Sequence, residues 1–318
     1  MKIPERLRTT EKTLFSFELL PPLKGRSIKE IYNLIDPLME FKPPYLNITY
    51  HREEVVYKER ADGLLERKTV RKRPGTVAIA AAIKYKYKDL NVVPHIICGG
   101  FTKEETENAL IDLNFLGIEN LLIVRGDPEK STNKFRPEPG GHRYALGLVE
   151  QVMNLNKGIY LDEELQNTSP TNFTIGVAGY PEKHAEAPNA KSDMYFLKKK
   201  IEAGAEFIVT QMFFDNQKYF DFVTACRKAG IDVPIIPGIK PVSVKGHLTS
   251  LPKTFNIDLP DDLVKEMIKC DTKAAVRQLG IEWAIMQSKE LVAAGVPVIH
   301  YYTMCNSDNV YQIAKEVF

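Results

Sequence analysis

The sequence predicts an α/β fold, a single (β/α)8 TIM barrel that takes in residues 1–318. Short apolar runs rich in β-branched and aromatic residues recur eight times, and longer amphipathic segments separate many of them. Such alternation implies parallel strands joined by right-handed crossovers, and eight units close most naturally into a barrel. The length of 318 residues and the hydrophobic content of 44% suit one large core.

The predicted elements follow one another in a regular order. The strand-like runs lie at residues 13–19, 45–49, 92–98, 120–125, 173–179, 205–211, 233–239 and 296–302. The helix-like segments include residues 27–41, 102–116, 190–203, 216–229 and 272–294. Glycine follows four of these helices, as is typical just beyond a helix C-terminus, at Gly117, Gly204, Gly230 and Gly295.

The charge of the chain is nearly balanced, with 43 Lys and Arg against 41 Asp and Glu and a net charge of +2. We therefore expect small-molecule partners and neither nucleic acid nor a membrane surface. The basic stretch 67–73 has no interleaved aromatic residues and is interpreted as a solvated loop. No signal segment or long apolar run is present, so a cytoplasmic location is expected.

Several chemical classes lack their sequence motifs. Cys98, Cys226, Cys270 and Cys305 form no C-x-x-C pair, so we expect free thiols in a reducing compartment and no structural zinc. The six histidines are scattered without metal-binding spacing, and no metal is expected. The glycine-rich dinucleotide motif, the P-loop and the nucleophilic-serine motif are also missing from the sequence.

Polar side chains stand at or near the ends of most predicted strands. The C-terminal ends of the strands of a (β/α)8 barrel form one face, and the active sites of barrel enzymes lie there. Taken singly, such residues often cap helices or hydrate loops, but together they predict a site. They are Glu18, Thr49, His95, Arg125, Asp127, Tyr180, His184, Gln211 and Tyr302.

Glu18 is the foremost candidate for catalysis, because it stands in the apolar segment FSFELLPP. Burial among apolar neighbours disfavours the charged form of a carboxyl group, and a protonated carboxyl is suited to general acid catalysis. Pro21 and Pro22 stiffen the loop that follows. The alternative interpretation is a structural glutamate in a salt bridge.

Two other segments carry ligand-binding side chains. In residues 125–127 a glycine between two charged residues lets the backbone approach a ligand. The loop 179–187 holds an aromatic ring and an imidazole, and Asp193 and the lysines 198–200 follow on a helix. These groups can hold the base, ribose and phosphates of a dinucleotide, whereas the alternative for the lysine run is a solvated helix face.

As an ordered set, these segments resemble the methylenetetrahydrofolate reductases over residues 15–302. FSFELLPP, NITY, PHIIC and VRGDP are similar to the motifs of the family's first four strands. GYPEKHAEA with the downstream Asp193 and Lys200, AGAEFIVTQMFFD and IIPGIKPVS look like its fifth, sixth and seventh units. The similarity is to the bacterial type and its catalytic domain.

The resemblance implies a barrel that carries non-covalent FAD, takes hydride from NAD(P)H and reduces 5,10-methylenetetrahydrofolate to 5-methyltetrahydrofolate. Glu18 matches the family's catalytic acid, and Asp127 matches the carboxylate beside flavin and pterin. Gln211 matches a residue that contacts pterin or nicotinamide, which use one flavin face in turn. The positions that match FAD contacts are Thr49, Tyr50, His95, Arg125, Gly126, Asp127, Ala145, Tyr180, His184, Ala187, Asp193, Lys199 and Lys200. We also expect a homo-oligomer.

The chain departs from the bacterial pattern at several positions. Leu251, Met304 and Asn306 replace a phenylalanine, a leucine and an arginine near the folate, which leaves the contacts to its glutamate tail open. Residues 51–73 and 156–172 lengthen two connections and are compatible with a lid, a subunit contact or elaboration.

Two other functional classes are compatible with the sequence. A barrel lyase or aldolase without flavin would use a Schiff-base lysine, for which Lys240 at a strand end is the candidate. A relay subunit of a larger redox complex would keep FAD and pass electrons between partners. The choice among NADH, NADPH and a protein electron donor is likewise open.

Overall fold

A computed structural model describes residues 2–128, 134–304 and 306–318. Its strands, in chain order, are β1 (Leu14–Leu19), β2 (Tyr45–Ile48), β3 (Glu54–Glu59), β4 (Leu65–Val70), β5 (Asn91–Ile97), β6 (Asn120–Val124), β7 (Thr174–Gly179), β8 (Phe207–Thr210), β9 (Ile235–Ile236), β10 (Gly238–Ile239) and β11 (Val298–Tyr302). Nine of them form one sheet in the order β10-β11-β1-β2-β5-β6-β7-β8-β9. The neighbouring strands of this sheet are parallel.

The strand predicted at residues 233–239 is interrupted in the structure. Strands β9 and β10 are its two halves, and Pro237 between them has no N–H to donate to a neighbouring strand. The carbonyl of Pro237 accepts a hydrogen bond from the backbone N–H of His300 at 2.9 Å, so this segment still joins its neighbour. The ring of strands therefore closes through Pro237, and the prediction of a (β/α)8 barrel is confirmed.

The predicted helices are all present. Four agree with the prediction to within one residue at each end, whereas the helix predicted at 27–41 begins two residues later and ends three residues earlier. The helices are α1 (Ile3–Arg8), α2 (Lys29–Leu38), α3 (Thr76–Lys86), α4 (Lys103–Phe115), α5 (Ala145–Leu155), α6 (Ala190–Glu202), α7 (Asn216–Lys228), α8 (His247–Phe255), α9 (Asp261–Lys269), α10 (Lys273–Ala293) and α11 (Asp308–Val317). The four glycines predicted to follow helices have φ from 67° to 123°. A 3-10 turn, Met39–Phe41, completes the segment predicted at 27–41.

The core has an outer and an inner part. Phe15 and Phe17 of β1 pack in the outer part, between strands and helices, whereas Ser16 and Glu18 contact residues of neighbouring strands inside the barrel. Alternation along a strand explains this division. Helix α1 closes the N-terminal end of the barrel with its apolar side chains, and the N–H of Ile3 donates to Asn120 Oδ1 at 3.0 Å. The opposite end of the barrel, formed by the C-terminal ends of the strands, carries polar side chains and is here called the mouth.

The connection after β2 contains an antiparallel hairpin of β3 and β4. The prediction of a solvated loop at residues 67–73 was wrong for its first part, because 67–70 belong to β4. Both hairpin strands are largely exposed, so neither shows the apolar-polar alternation by which a half-buried strand is recognised. The hairpin lies beside the loop after β1, where the N–H of Lys24 donates to the carbonyl of Lys72 at 2.7 Å.

The segment 156–172 is fastened at its base by one side chain. Asn156 donates through Nδ2 to the carbonyl of Phe173 at 2.8 Å, and its Oδ1 accepts from the Phe173 N–H and the Thr171 hydroxyl. Farther along, the carboxylate of Glu107 in α4 accepts the N–H of Leu161 at 2.9 Å. These contacts fold the segment back against the outside of the barrel.

The prediction of free thiols is confirmed for the cysteines in the described part of the chain. Cys98, Cys226 and Cys270 are free thiols, and Cys305 lies outside the described residues. In the same part of the chain, no helix combines the length and the apolar character needed to cross a membrane.

Candidate active site

Glu18 lies at the end of β1 with only 7% of its surface exposed. Its Oε2 atom is 3.7 Å from Nε2 of His95 on β5 and 3.8 Å from Nε2 of His300 on β11. The carbonyl of Glu18 accepts a hydrogen bond from the hydroxyl of Thr303 at 2.5 Å. The carboxyl group is therefore held between two imidazoles at the inner edge of the mouth.

Hydrogen bonds orient both imidazoles. The amide of Asn47 donates to Nε2 of His95 at 3.3 Å, and burial lowers the pKa of His95 to about 4, so this ring is neutral near pH 7. Ser16 donates its hydroxyl to the carbonyl of Ile299 and faces Nδ1 of His300 at 3.0 Å. Nε2 of His300 is buried without a hydrogen-bond partner among the described residues. It therefore faces Glu18 as an unpaired nitrogen.

Three residues of this cluster, Ser16, Asn47 and His300, were not predicted from the sequence as site residues. All three are fully buried inside the barrel, where each contacts a residue of a neighbouring strand. Strand alternation could have identified Ser16, which precedes Glu18 by two residues, and His300, which precedes Tyr302 by two.

Thr49 and Tyr50 follow β2 beside this cluster. Both the N–H and the hydroxyl of Thr49 donate to the carbonyl of Leu19, at 3.0 and 3.2 Å. The ring of Tyr50 packs against Phe101 with 5.1 Å between centroids, and burial raises the pKa of Tyr50. Tyr50 and His95 line one side of a cavity of about 610 Å³ that extends between α3 and α4. A cavity of this size is within the range of small-molecule sites.

Residues 125–127 follow β6 as predicted. Arg125 makes two hydrogen bonds to the carboxylate of Glu186, at 2.6 and 2.7 Å. Gly126 has a φ of 90°, and an added Cβ would lie 3.3 Å from the side chain of Ile97, so this backbone position favours glycine. Asp127 is exposed. Arg125 thus links the end of β6 to the loop after β7.

The loop after β7, residues 180–189, is held by polar contacts. The ring of Tyr180 lies edge-on to His184 with 4.7 Å between centroids. The N–H of His184 donates to Asp193 at 2.8 Å, and Lys183 donates to the carbonyls of His184 and Ala187. Burial raises the pKa of Tyr180, and the charges of Asp193 and Asp127 add to this shift. The structure therefore brings the predicted residues of this loop together with Asp127.

The side chains of the two lysines predicted to contact FAD point in different directions. Nζ of Lys200 donates to the carbonyl of Ala178 in β7 at 3.0 Å, and burial lowers its pKa to about 8. Lys199 pairs with Glu202 at 2.8 Å, with both side chains nearly half exposed. Successive residues on a helix point about 100° apart, so only Lys200 lies with the other predicted contacts. Ala145 begins α5 and packs partly buried against the core.

Gln211 and Lys240 occupy neighbouring strand ends. Gln211 follows β8, where its N–H donates to the carbonyl of Gly179 and its Oε1 accepts from the N–H of Met212. Lys240 follows β10 and is buried. Tyr302, at the end of β11, donates its hydroxyl to the carbonyl of Thr210 at 2.5 Å. No cluster that could hold a metal ion occurs among the described residues.

A family model described as methylenetetrahydrofolate reductase matches residues 2–317. The chain belongs to the methylenetetrahydrofolate reductase family. A 5,10-methylenetetrahydrofolate reductase of Escherichia coli is 31% identical over 299 residues, which cover 94% of this chain and 88% of that protein. Methylenetetrahydrofolate reductase (NADH) 1 of Arabidopsis thaliana is 31% identical over 318 residues, covering 96% of this chain and 48% of the plant protein.

The chain spans about half the length of its plant and fungal relatives. Among solved structures, a protein from Clostridium thermocellum that binds two copies of 5-methyl-5,6,7,8-tetrahydrofolic acid has a TM-score of 0.57 at 12% identity. The match covers 98% of each chain, so the two proteins share a fold. Membership in the methylenetetrahydrofolate reductase family agrees with the resemblance seen in the ordered strand-end motifs.

The positions at which this member of the methylenetetrahydrofolate reductase family departs from the bacterial pattern lie near β11 and in α8. Leu251 of α8 is buried in an apolar cluster with Met212. Met304 has a φ of 58°, and its carbonyl accepts the N–H of Leu20 after β1. Asn306 accepts the N–H of Asp308 through Oδ1 at 2.7 Å, so its amide helps to begin α11.

Proposed function

We propose that the chain binds FAD and reduces 5,10-methylenetetrahydrofolate to 5-methyltetrahydrofolate with electrons from NAD(P)H. The observation that carries the proposal is the buried carboxyl of Glu18 between His95 and His300, at the same mouth as the polar loop after β7. Family membership supports the folate chemistry, and a protein of the same fold binds 5-methyltetrahydrofolic acid.

The residues at the mouth fit a dinucleotide such as FAD. Gly126 allows close approach of the backbone, and the partly buried Arg125 and Lys200 supply positive charge for a pyrophosphate. Tyr180 and His184 offer an aromatic surface, and Asp193 offers a carboxylate. When bound, FAD would supply hydride transfer from the reduced nicotinamide to the folate.

The proposed proton donor is Glu18. Because the product carries its methyl group on N5, the bond of the folate's imidazolidine ring that opens is the bond to N10. We assign Glu18 to promote protonation at N10, which opens the ring to an iminium cation. Asp127 would stabilise this cation through its negative charge. The neutral His95, with its Nε2 3.7 Å from Oε2 of Glu18, would add no positive charge at the site.

The two substrates would use the same face of the flavin in turn, which implies ping-pong kinetics. Gln211 lies at the end of β8 and would contact whichever substrate is bound. Relatives are named for NADH in plants and for NADPH in Caenorhabditis elegans, so the nucleotide is to be determined by assay.

We expect the purified protein to be yellow and to hold one FAD per chain, because the mouth offers groups for each part of the dinucleotide. The absorption spectrum and the FAD released on denaturation measure this directly. A colourless protein that cannot be reconstituted with FAD would contradict the proposal and favour a flavin-free barrel enzyme. Steady-state turnover by the isolated chain distinguishes a reductase from a relay subunit.

Replacing Gln211 by alanine should slow both half-reactions, because one amide would serve both substrates. Loss of one hydrogen bond predicts a decrease of about two- to tenfold in each. Stopped-flow flavin reduction by NAD(P)H and reoxidation by the folate measure the two steps separately. A decrease confined to one substrate would contradict the shared face.

A further inference from the structure

The loop 180–189 is attached to the barrel on two opposite sides. On one side, Glu186 pairs with Arg125 at the end of β6. On the other side, Oε2 of Glu182 accepts the N–H of Asp258 at 2.9 Å, and Asn256 donates to the carbonyl of Lys183 at 3.4 Å. The loop that carries the proposed flavin contacts is therefore joined to the segment 256–258, which follows α8.

The segment 256–258 follows α8, which carries Leu251, a position that the family resemblance places near the folate, and α8 is therefore taken as the folate side of the mouth. Asn256 ends α8 in the left-handed conformation, with a φ of 53°. Leu251 within α8 and Ile257 after it pack in one apolar cluster with Met212, the neighbour of Gln211. A displacement of α8 would therefore be transmitted to residues 256–258 and from there to Glu182.

The carboxyl group of Glu182 is held in an unusual environment for an ion. Oε1 is buried without a hydrogen-bond partner among the described residues, while Oε2 has the Asp258 N–H. Burial raises the pKa of Glu182 from 4.5 to about 7, and the charges of Asp258 and Asp215 act in the same direction. The hydrogen bond from the Asp258 N–H and the charge of Lys218 oppose this shift. Asp215 and Lys218 face it from the start of α7.

We propose that Glu182 is a positioning residue that, together with Asn256, couples the flavin-side loop 180–189 to the folate-side helix α8. The inference rests on the proposed function, because the two sides are defined by the proposed FAD and folate contacts. Neither residue would touch a reacting atom. Their effect would be to hold the flavin side and the folate side of the mouth in fixed relative positions while one ligand is bound and the other binds.

The protonation of Glu182 gives this coupling a pH dependence. Since the folded chain prefers the protonated carboxyl, the stability that this preference contributes is present below pH 4.5 and is lost as the pH rises through 7. Above pH 7 most Glu182 carboxyl groups are charged, although Oε1 has no donor in the described part of the chain and the group faces Asp258 and Asp215. The hydrogen bond from the Asp258 N–H favours the charged form, but burial outweighs it, so the ionised side chain is expected to turn toward water and to release the segment 256–258.

The test compares three variants with the wild-type chain. Glu182→Ala removes the carboxyl group, Asn256→Gly removes the second contact while keeping a residue that tolerates positive φ, and Glu182→Gln keeps the acceptor without the charge. Glu107→Gln is the matched control, because Glu107 is another glutamate whose pKa is raised by burial and whose carboxylate accepts one backbone N–H, from Leu161 outside the barrel. Hydrogen exchange, FAD binding to the apoprotein and the folate KM are measured for each.

Glu182→Ala and Asn256→Gly should each raise both the FAD dissociation constant and the folate KM by about two- to tenfold, as expected for one lost hydrogen bond. In the ligand-free chain, both variants should speed amide exchange in residues 180–189 and 256–258. As the pH rises from 6 to about 8, wild-type FAD affinity should fall more steeply than that of Glu182→Gln, because the variant lacks the Glu182 ionisation and keeps only the loss of charge on Lys200, whose pKa is about 8.

If Glu182→Ala and Asn256→Gly match Glu107→Gln in exchange and in both binding constants, the coupling is overturned. An effect on flavin or on folate alone would also overturn it, as would a Glu182→Gln pH profile equal to that of the wild type. Failure of the proposed function would be recognised by a wild-type chain that binds no FAD. Amide exchange is measured without ligand, so it would still show whether residues 180–189 and 256–258 depend on Glu182.

Discussion

Replacing Asp127 by asparagine is expected to slow folate reduction by about 10²–10³-fold while the protein keeps its flavin. The substitution removes one negative charge from the site where the proposed iminium cation forms. Removing one group that stabilises charge in a transition state typically costs about 2.7–4 kcal/mol. Its charge contributes to the raised pKa of Tyr180, so Asp127 acts on the same part of the mouth as the proposed flavin contacts.

The measurement is flavin reoxidation by 5,10-methylenetetrahydrofolate in single turnover, with FAD content determined in the same sample. Asp127 is exposed in the chain alone, so its charge acts fully only where bound ligands exclude water. The control is Asp162→Asn, an exposed aspartate in the segment 156–172, which should leave the rate unchanged. Unchanged reoxidation in Asp127→Asn would contradict the assigned role.

The barrel could be predicted from sequence because its signals are local. Parallel strands buried on both faces are apolar runs, and a glycine in the left-handed conformation, such as Gly117 with a φ of 67°, ends a helix. Pro237 shows the limit of this reasoning, since the apolar run around it predicts one strand while its missing N–H divides the run in two. The β3–β4 hairpin was not predicted, because neither of its faces packs into the core.

The candidate site residues at the strand ends could be predicted from the sequence, but those within the strands, inside the barrel, could not. Glu18 and the segment 125–127 are visible as charges after apolar runs. His300 and Asn47 are inside strands, and their relation to Glu18 depends on which strands are neighbours and in what register they pair. Lys199 and Lys200 differ for a similar reason, because a run of lysines does not indicate which one faces the barrel.

The contact between Glu182 and Asp258 is a long-range feature of the same kind. The two residues are 76 positions apart in the sequence. The hydrogen-bond donor is the backbone N–H of Asp258, which no pattern of side chains in the sequence reveals. The motif GYPEKHAEA draws attention to the loop, but only the fold places the segment after α8 against it. Contacts of this kind would decide how the two proposed binding regions are held relative to each other.

Replacing Glu18 by glutamine separates acid catalysis from redox chemistry. The amide keeps the shape of the side chain and can donate to Nε2 of His300, which lacks a partner among the described residues, so the packing of the mouth should be preserved. It has no transferable acidic proton. Hydride transfer from the nicotinamide to the flavin requires no proton donor, whereas opening of the folate ring does.

We therefore expect Glu18→Gln to leave flavin reduction by NAD(P)H nearly intact in stopped-flow measurements. Reoxidation by 5,10-methylenetetrahydrofolate should decrease by about 10²–10⁴-fold, which is the usual contribution of a general acid. Because both half-reactions are measured on one preparation, the reductive step serves as the internal control. If the variant slows both steps equally, or loses FAD, then Glu18 is a structural or flavin-binding carboxyl group, and another residue must deliver the proton to N10.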